Sequence, residues 1–484
     1  MRFPFAPWMP DQPAFGGSSS ENVENVIPTS WGYRPLPSLA RQSTDALAAK
    51  CVGAVSVQYP DGTAGTFVGT ATKLYTYSGG TFTDVTRASS DYTLSDGDYW
   101  SFAKFGFYLI ATAPNQNPQV FLLGTDTVFT DLGGTPPEAK YCATVRDFVL
   151  LGNLSSDPRA VQWSGFEDAT QWTVGTNQSS IQPLYDGGQV NGVVGGEFGL
   201  IFQEHAVTRM TYIGPPVIFQ FDAIETERGC SVPGSIIKVG SQVYYYGSSG
   251  FSVTDGNGSQ SIGNEQVDQW FTQNADPDSL SSMTVAHDAL NKLIIWGFVS
   301  NNPTTPTVPD LLLIYNYAAK RFAPAKTEHD FIFALLSEGL TLEQIGALYS
   351  TVEDVPSSLD AKAWAGGAPV FGAFDSSHYL ATFTGPALQA TIETQELELV
   401  EGRRSVVSGV RPLIDASDAT VIVRSKDAPF ADLTDTAATA VESNGVATVL
   451  SAGLYHRIQA VIPSGSDWSK ANGVDVAISD EGEI

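Results

Sequence analysis

The stretch TFVGTATKLYTYSGGTFTDVT, residues 66–86, reads as two strands rich in aromatic and β-branched residues around a Gly-Gly turn. Aromatic and β-branched side chains suit a pleated, half-buried surface, and a glycine pair supplies the positive φ that tight hairpins need. The same module recurs at FGFYLIATAPNQNPQVFLLGTDTVFTDL from Phe105, RDFVLLGNLSSDPRAVQWS from Arg146 and EFGLIFQEHAVTRMTYIG from Glu197. It returns at SQVYYYGSSGFSVTDGNGSQSIG from Ser241, at LNKLIIWGFV with LLLIYNYAAKRFAPA from Leu290, and at APVFGAFDSSHYLATFTG from Ala368. Starts about 40–50 residues apart, with a longer last interval, are the blade repeat of a β-propeller. The alternative is a series of β-sandwiches with similar hairpins. The expected fold is all-β: a propeller of six or seven blades with an N-terminal extended arm, a short helical insertion and a C-terminal sandwich-like region.

Composition agrees with that class. Of 484 residues, 42% are hydrophobic, with 26 Phe, 18 Tyr and 9 Trp, so a large core is available. The 46 Gly and 28 Pro are spread along the chain, as turns between many short strands require. Lys and Arg number 25 against 52 Asp and Glu, a formal charge of −27. That field repels nucleic acid, whose binding calls for the opposite sign. It serves solubility, or an acidic wall along which a polyanion slides without sticking. Cys51, Cys142 and Cys230 are widely separated, without metal or disulfide spacing, and read as small buried residues. The opening MRFPFAPWMPDQP has no apolar h-region, so no signal peptide is expected, and no stretch is apolar enough to cross a membrane.

The modules divide the chain. Residues 1–49 form the arm and an extended segment, 50–323 the blades, and 324–366 an insertion. Residues 367–388 complete the propeller, and 389–484 make the C-terminal β-rich domain. On the arm, Trp8 and Phe15 are expected to pack either on the body or on a neighbouring subunit. Within the insertion Thr341 caps a helix from Leu342 to Leu348, with Gln344 at the capping-box position.

Catalytic signatures are missing. No G-x-S-x-G, H-E-x-x-H or phosphate-binding loop occurs, and His205, His287, His329, His378 and His456 stand apart as strand-surface or interface residues. Ser95-Asp96-Gly97-Asp98-Tyr99-Trp100 lacks the spacing of a sialidase Asp-box and reads as a hairpin turn. Asp255-Gly256-Asn257-Gly258 and Asp415-Ala416-Ser417-Asp418 lack the ligand spacing of a calcium loop and read as turns. No catalytic, cofactor or metal residue is assigned, and no cofactor is expected.

A resemblance rests on ordered motifs. The segment Glu24-Asn25-Val26-Ile27-Pro28-Thr29-Ser30-Trp31-Gly32-Tyr33-Arg34-Pro35-Leu36-Pro37 resembles the opening of tail-nozzle (packaged-DNA stabilisation) proteins of short-tailed bacteriophages. Similar segments follow in order: Gln162-Trp163-Ser164 with Gln171-Trp172, Tyr185-Asp186-Gly187-Gly188, Phe202-Gln203-Glu204 and Arg228 to Ser235. Ser358-Leu359-Asp360, Gly372 to Asp375, Tyr455-His456-Arg457 and Trp468 complete the set.

The resemblance implies a non-enzymatic virion protein in the tail, assembled in the host cytoplasm as a homo-hexamer below the portal and adaptor rings. It would prolong the DNA channel, retain the packaged genome without sequence-specific binding, and hold a distal needle, fibre or tailspike. Candidate interface residues are then Trp8, Phe15, Tyr33, Arg34 and Pro35, and the candidate channel gate is Leu342, Ile345 and Leu348. The alternative is a propeller-type enzyme cleaving, or a protein binding, host surface polysaccharide.

Overall fold

In the computed structural model, described over residues 1–13, 19–337, 342–349, 351–355, 358–359 and 367–480, the recurring module becomes a series of four-stranded antiparallel sheets. Seven such sheets are present among the described residues. The first is Gly53–Gln58, Ala64–Gly69, Leu74–Ser78 and Thr81–Asp84; the fourth is Val190–Val194, Gly199–Gln203, Val207–Gly214 and Ile218–Glu225. The sixth is Thr284–Asp288, Leu293–Phe298, Leu311–Asn316 and Arg321–Lys326. Each motif read from the sequence matches one sheet but starts at or near its second strand. The first strands are less aromatic, as Gly53–Gln58 (GAVSVQ) shows.

The seventh sheet is assembled from both sides of the chain. Phe331–Leu336, Pro369–Phe374 and Tyr379–Ala387 take the N-terminal strand Pro37–Ala46 as their fourth member. First strands adjoin from the first sheet to the fourth and from the fifth to the seventh, and that of the seventh lies against that of the first. The arrangement is consistent with a multi-blade propeller.

The remaining strands form two sheets from both ends of the chain. One orders Val26–Thr29, Gly32–Pro35, Ala471–Asp480, Ser405–Ile414 and Ser451–Gly453, with Arg2–Pro4 also on Ala471–Asp480. The other orders Val23–Glu24, Ala390–Glu393, Tyr455–Ile462, Thr420–Lys426 and Thr434–Asp435, with Thr439–Ala440 also on Thr420–Lys426. Their apolar faces share one core, in which Val26, Ile392, Val421, Ile458 and Val474 are fully buried. The same core runs on into Phe251, Trp296, Phe298 and Phe322 of the fifth and sixth sheets. The region past residue 389 is therefore sandwich-like as expected, but strands of the supposed arm complete it.

Two boundaries move. The segment 324–366 is not all insertion, because it contains the end of Arg321–Lys326 and the whole of Phe331–Leu336. The interruption lies inside the seventh sheet, between Leu336 and Pro369, which are paired across the two strands. A second helix, Asp268–Asn274, joins the fifth and sixth sheets, where no helix is expected from the sequence. No helix among the described residues is long and apolar enough to cross a membrane.

Candidate functional site

The first strands of the seven sheets, or the residues just before them, line a cavity of about 660 Å³. Every sheet contributes, through Val52, Ser101, Tyr141, Val193, Ile236, Val285 and Phe331 or their neighbours. A second cavity, about 520 Å³, adjoins it and shares the wall Asp96 to Tyr99. That wall is the connection from the first sheet to the second, not a hairpin turn. Its neighbour is the linker Pro277–Ser282 between the fifth and sixth sheets: a Cβ at Gly97 would lie 2.8 Å from Ser281 Oγ. Gly97 has φ +84°, a conformation that a β-carbon disfavours.

Aromatic and polar groups share the cavity walls. The Tyr99 and Tyr141 rings stand 6.1 Å apart, and burial raises both hydroxyl pKa values above the usual phenol range. Trp100 is 3% exposed and spent on the fold: its indole N–H donates to the Thr70 carbonyl at 2.9 Å, and its ring meets Tyr92 edge-on. Asp330 accepts from His378 Nδ1 at 2.5 Å; burial raises the Asp330 pKa while His378 opposes the rise. Thr284 Oγ1 has no hydrogen-bond partner. Among the described residues, Asp96, Asp98 and Asp278 carry no ion pair, and Lys50 is the only cationic side chain lining the larger cavity.

The cysteines are not activated as nucleophiles. Burial raises the thiol pKa of Cys51, Cys142 and Cys230, to about 11 for Cys142 and about 12 for Cys230, so all three stay protonated near neutrality. No cluster of three or more His, Cys, Asp or Glu side chains fit for a metal occurs among the described residues. The first Asp-rich turn is braced from within and the second by a segment more than fifty residues on. Asp255 Oδ1 accepts from the Asn257 amide, and Asp415 accepts from the Ser469 and Lys470 amides. Two histidines differ from the surface role expected of them: His329 and His456 are fully buried.

The residues marked as an interface are largely spent inside the chain. Trp8 is 3% exposed, forms a backbone bridge with Phe322 at the outer edge of the sixth sheet, and stands edge-on to Trp270 at 4.9 Å. Tyr33 is fully buried, and its hydroxyl donates to the Ala6 carbonyl at 2.7 Å. Covering an open sheet edge with apolar side chains removes both an aggregation risk and exposed apolar area, so of the two expectations for Trp8 the body wins. Arg34 and Pro35 are half-buried; Arg34 donates to Asn291 Oδ1 at 2.8 Å, and burial lowers its pKa. Phe15 lies outside the described residues.

The helix is found where it was expected, at Leu342–Leu348. It packs against the outer strand Pro37–Ala46, with Ile345 5% exposed and Leu348 half-buried. Neither lines the cavity at the convergence of the sheets, and Leu342 is placed only as the first residue of the helix. Sequence reasoning missed the cavity because its lining comes from linkers and strand starts with no shared motif.

No family model and no curated protein matches the chain. Among solved structures it is similar to the extracellular domain of a putative hybrid two-component system from B. thetaiotaomicron. The identity is 10% and the TM-score 0.42, over 77% of this chain and 42% of that one. It is also similar to BamB from Moraxella catarrhalis, at 10% identity and TM-score 0.34, over 74% of this chain and 95% of that one. Scores this low carry neither fold detail nor function.

Proposed function

We propose that this chain is a structural subunit of a bacteriophage tail nozzle, a closed seven-bladed propeller with a sandwich lobe that assembles into a hexameric ring below portal and adaptor. What supports the reading is where its motifs fall. Segments far apart in sequence are hydrogen-bonded to one another at the joints between sheets. Gln203 Nε2 donates to the carbonyls of Leu184 and Gly188, the Cys230 amide donates to the Gln203 carbonyl, and Ser235 accepts the Trp296 indole N–H through its carbonyl. The segment Glu24 to Pro37 supplies strands to the sandwich and leads into the strand that completes the seventh sheet. Motifs of this kind build a scaffold, as a load-bearing ring subunit requires.

In this reading DNA passes between subunits. A cavity of about 660 Å³ does not admit a duplex, whose major groove alone is about 12 Å wide and about 8.5 Å deep. The acidic surplus then faces the shared channel, and the ring holds distal tail parts at its far end. Negative-stain electron microscopy and mass measurement, with and without portal–adaptor complexes, test the proposal. Six-fold rings are expected; a monomer under both conditions overturns it.

A further inference from the structure

We propose that the cavity where the seven sheets converge binds a small organic polycation, of the linear polyamine class. The inference stands on the cavity itself and is independent of the nozzle reading. Pockets that hold small ligands are typically about 300–1,000 Å³, largely pre-formed and lined by apolar walls with a few convergent polar groups. This one, at about 660 Å³, is walled by the starts of all seven sheets and by two linkers, so its shape is fixed by the fold rather than by a single loop.

The lining selects the ligand by charge. Asp96 and Asp98 enter from one linker and Asp278 from another, and the two linkers meet at Gly97 and Ser281. Among the described residues none of the three carboxylates is ion-paired; the lining also holds Lys50 and a fourth carboxylate, Asp330, which is paired with His378. A whole-chain charge of −27 adds to the same field. Anionic ligands are repelled from such a cavity, whereas ammonium groups gain carboxylate partners in the half-buried Asp98 and, at the rim, the exposed Asp96 and Asp278.

Two further observations point to a ligand with spaced N–H donors. Thr284, 8% exposed and part of the lining, leaves Oγ1 without a partner although a buried hydroxyl normally has one. Tyr99 and Tyr141 line the same space, with their rings 6.1 Å apart, and aromatic rings attract cations that reach their faces. A sugar ring is less well served, because Trp100, the one tryptophan of the lining, is packed away on Tyr92.

Spermidine, titrated calorimetrically into the full chain at low ionic strength and pH 7, is the probe, with glucose as the neutral hydroxylated comparison. Saturable one-site binding of spermidine is expected, with little or no glucose binding. Asp98→Asn/Asp278→Asn should weaken spermidine binding at least about tenfold, a loss of about 1.4 kcal/mol. Asp432→Asn/Asp467→Asn, the same charge change at exposed positions on the sandwich, should leave it within about twofold. Melting temperatures near that of the parent show that each variant is folded. Non-saturable binding, equal losses in the two variants, or tighter binding of glucose would each overturn the proposal.

Discussion

At the scale of single residues, His329 shows what burial demands. It sits between the sixth and seventh sheets, fully buried, with Nδ1–H donating to the Thr327 carbonyl at 2.8 Å and Nε2 without a partner. Gly297 makes room for the ring, since a Cβ there would lie 2.1 Å from Nε2. Burial lowers the imidazole pKa to about 4, against about 6.5 in the unfolded chain. Between those values the unfolded chain binds more protons, so stability rises with pH there and is lost as pH falls from about 6.5 to about 4. The full effect is on the order of 3 kcal/mol. Asp268 works the other way: burial raises its pKa to about 6, so folding takes up a proton as pH falls. Comparing the parent with His329→Asn removes that common contribution. The variant should be less stable at pH 7 but flatter in urea midpoint between pH 6.5 and 4.5; parallel profiles would sink this account. In the sequence His329 is one lone histidine among five, and local pattern carries no sign that a loop folds over it. The aromatic strands were legible for the opposite reason, because Phe67, Phe148 and Trp296 declare burial by residue type alone.

Elements divide by the distance to their partners. Hairpins such as Phe105 to Tyr108 pair with near neighbours, and alternation, turns and a capping pattern at Thr341 expose them and the helix Leu342–Leu348 to reading. Strands whose partners lie hundreds of residues away leave no such trace: Pro37–Ala46 joins Tyr379–Ala387, and Val23–Glu24 joins Ala390–Glu393. The helix Asp268–Asn274 is hidden in the same way. Its own Val267 makes no side-chain cap, and the cap comes from the arm instead. Asp11 accepts from the Gln269 and Trp270 amides, both at 2.8 Å, satisfying donors that the first helical turn leaves open. Asp11→Ala should therefore cost about 1 kcal/mol and speed hydrogen exchange in a peptide covering residues 268–274. Asp11→Asn should retain part of the protection. Unchanged exchange in the alanine variant would show that the carboxylate contributes nothing to the helix.

For the whole molecule, closure depends on both ends of the chain. Arg2–Pro4 and Gly32–Pro35 flank the terminal strand Ala471–Asp480, and Arg457 joins Glu21 at 3.1 Å and Glu396 at 2.9 Å. The sandwich thus cannot form until the last strand exists, and the seventh sheet needs a strand made near the start. Pairings this distant in sequence impose loop-closure entropy before contacts repay it, and they slow folding. A chain ending at residue 388 should leave Val23, Val26 and Tyr33, all buried in the intact protein, without their partner sheet. A chain beginning at residue 36 should fail equally, because it removes the other half of the same sandwich. Both should elute as aggregates, bind a hydrophobic dye and lose the sharp thermal transition of the parent. Replacing residues 338–366 by a short Gly-Ser turn should do none of these, because Leu336 and Pro369 already stand paired where the insertion leaves and re-enters. A soluble, cooperatively melting 1–388 chain would mean that the sandwich is an appendage to the sheets rather than the fastening that holds both ends of the molecule.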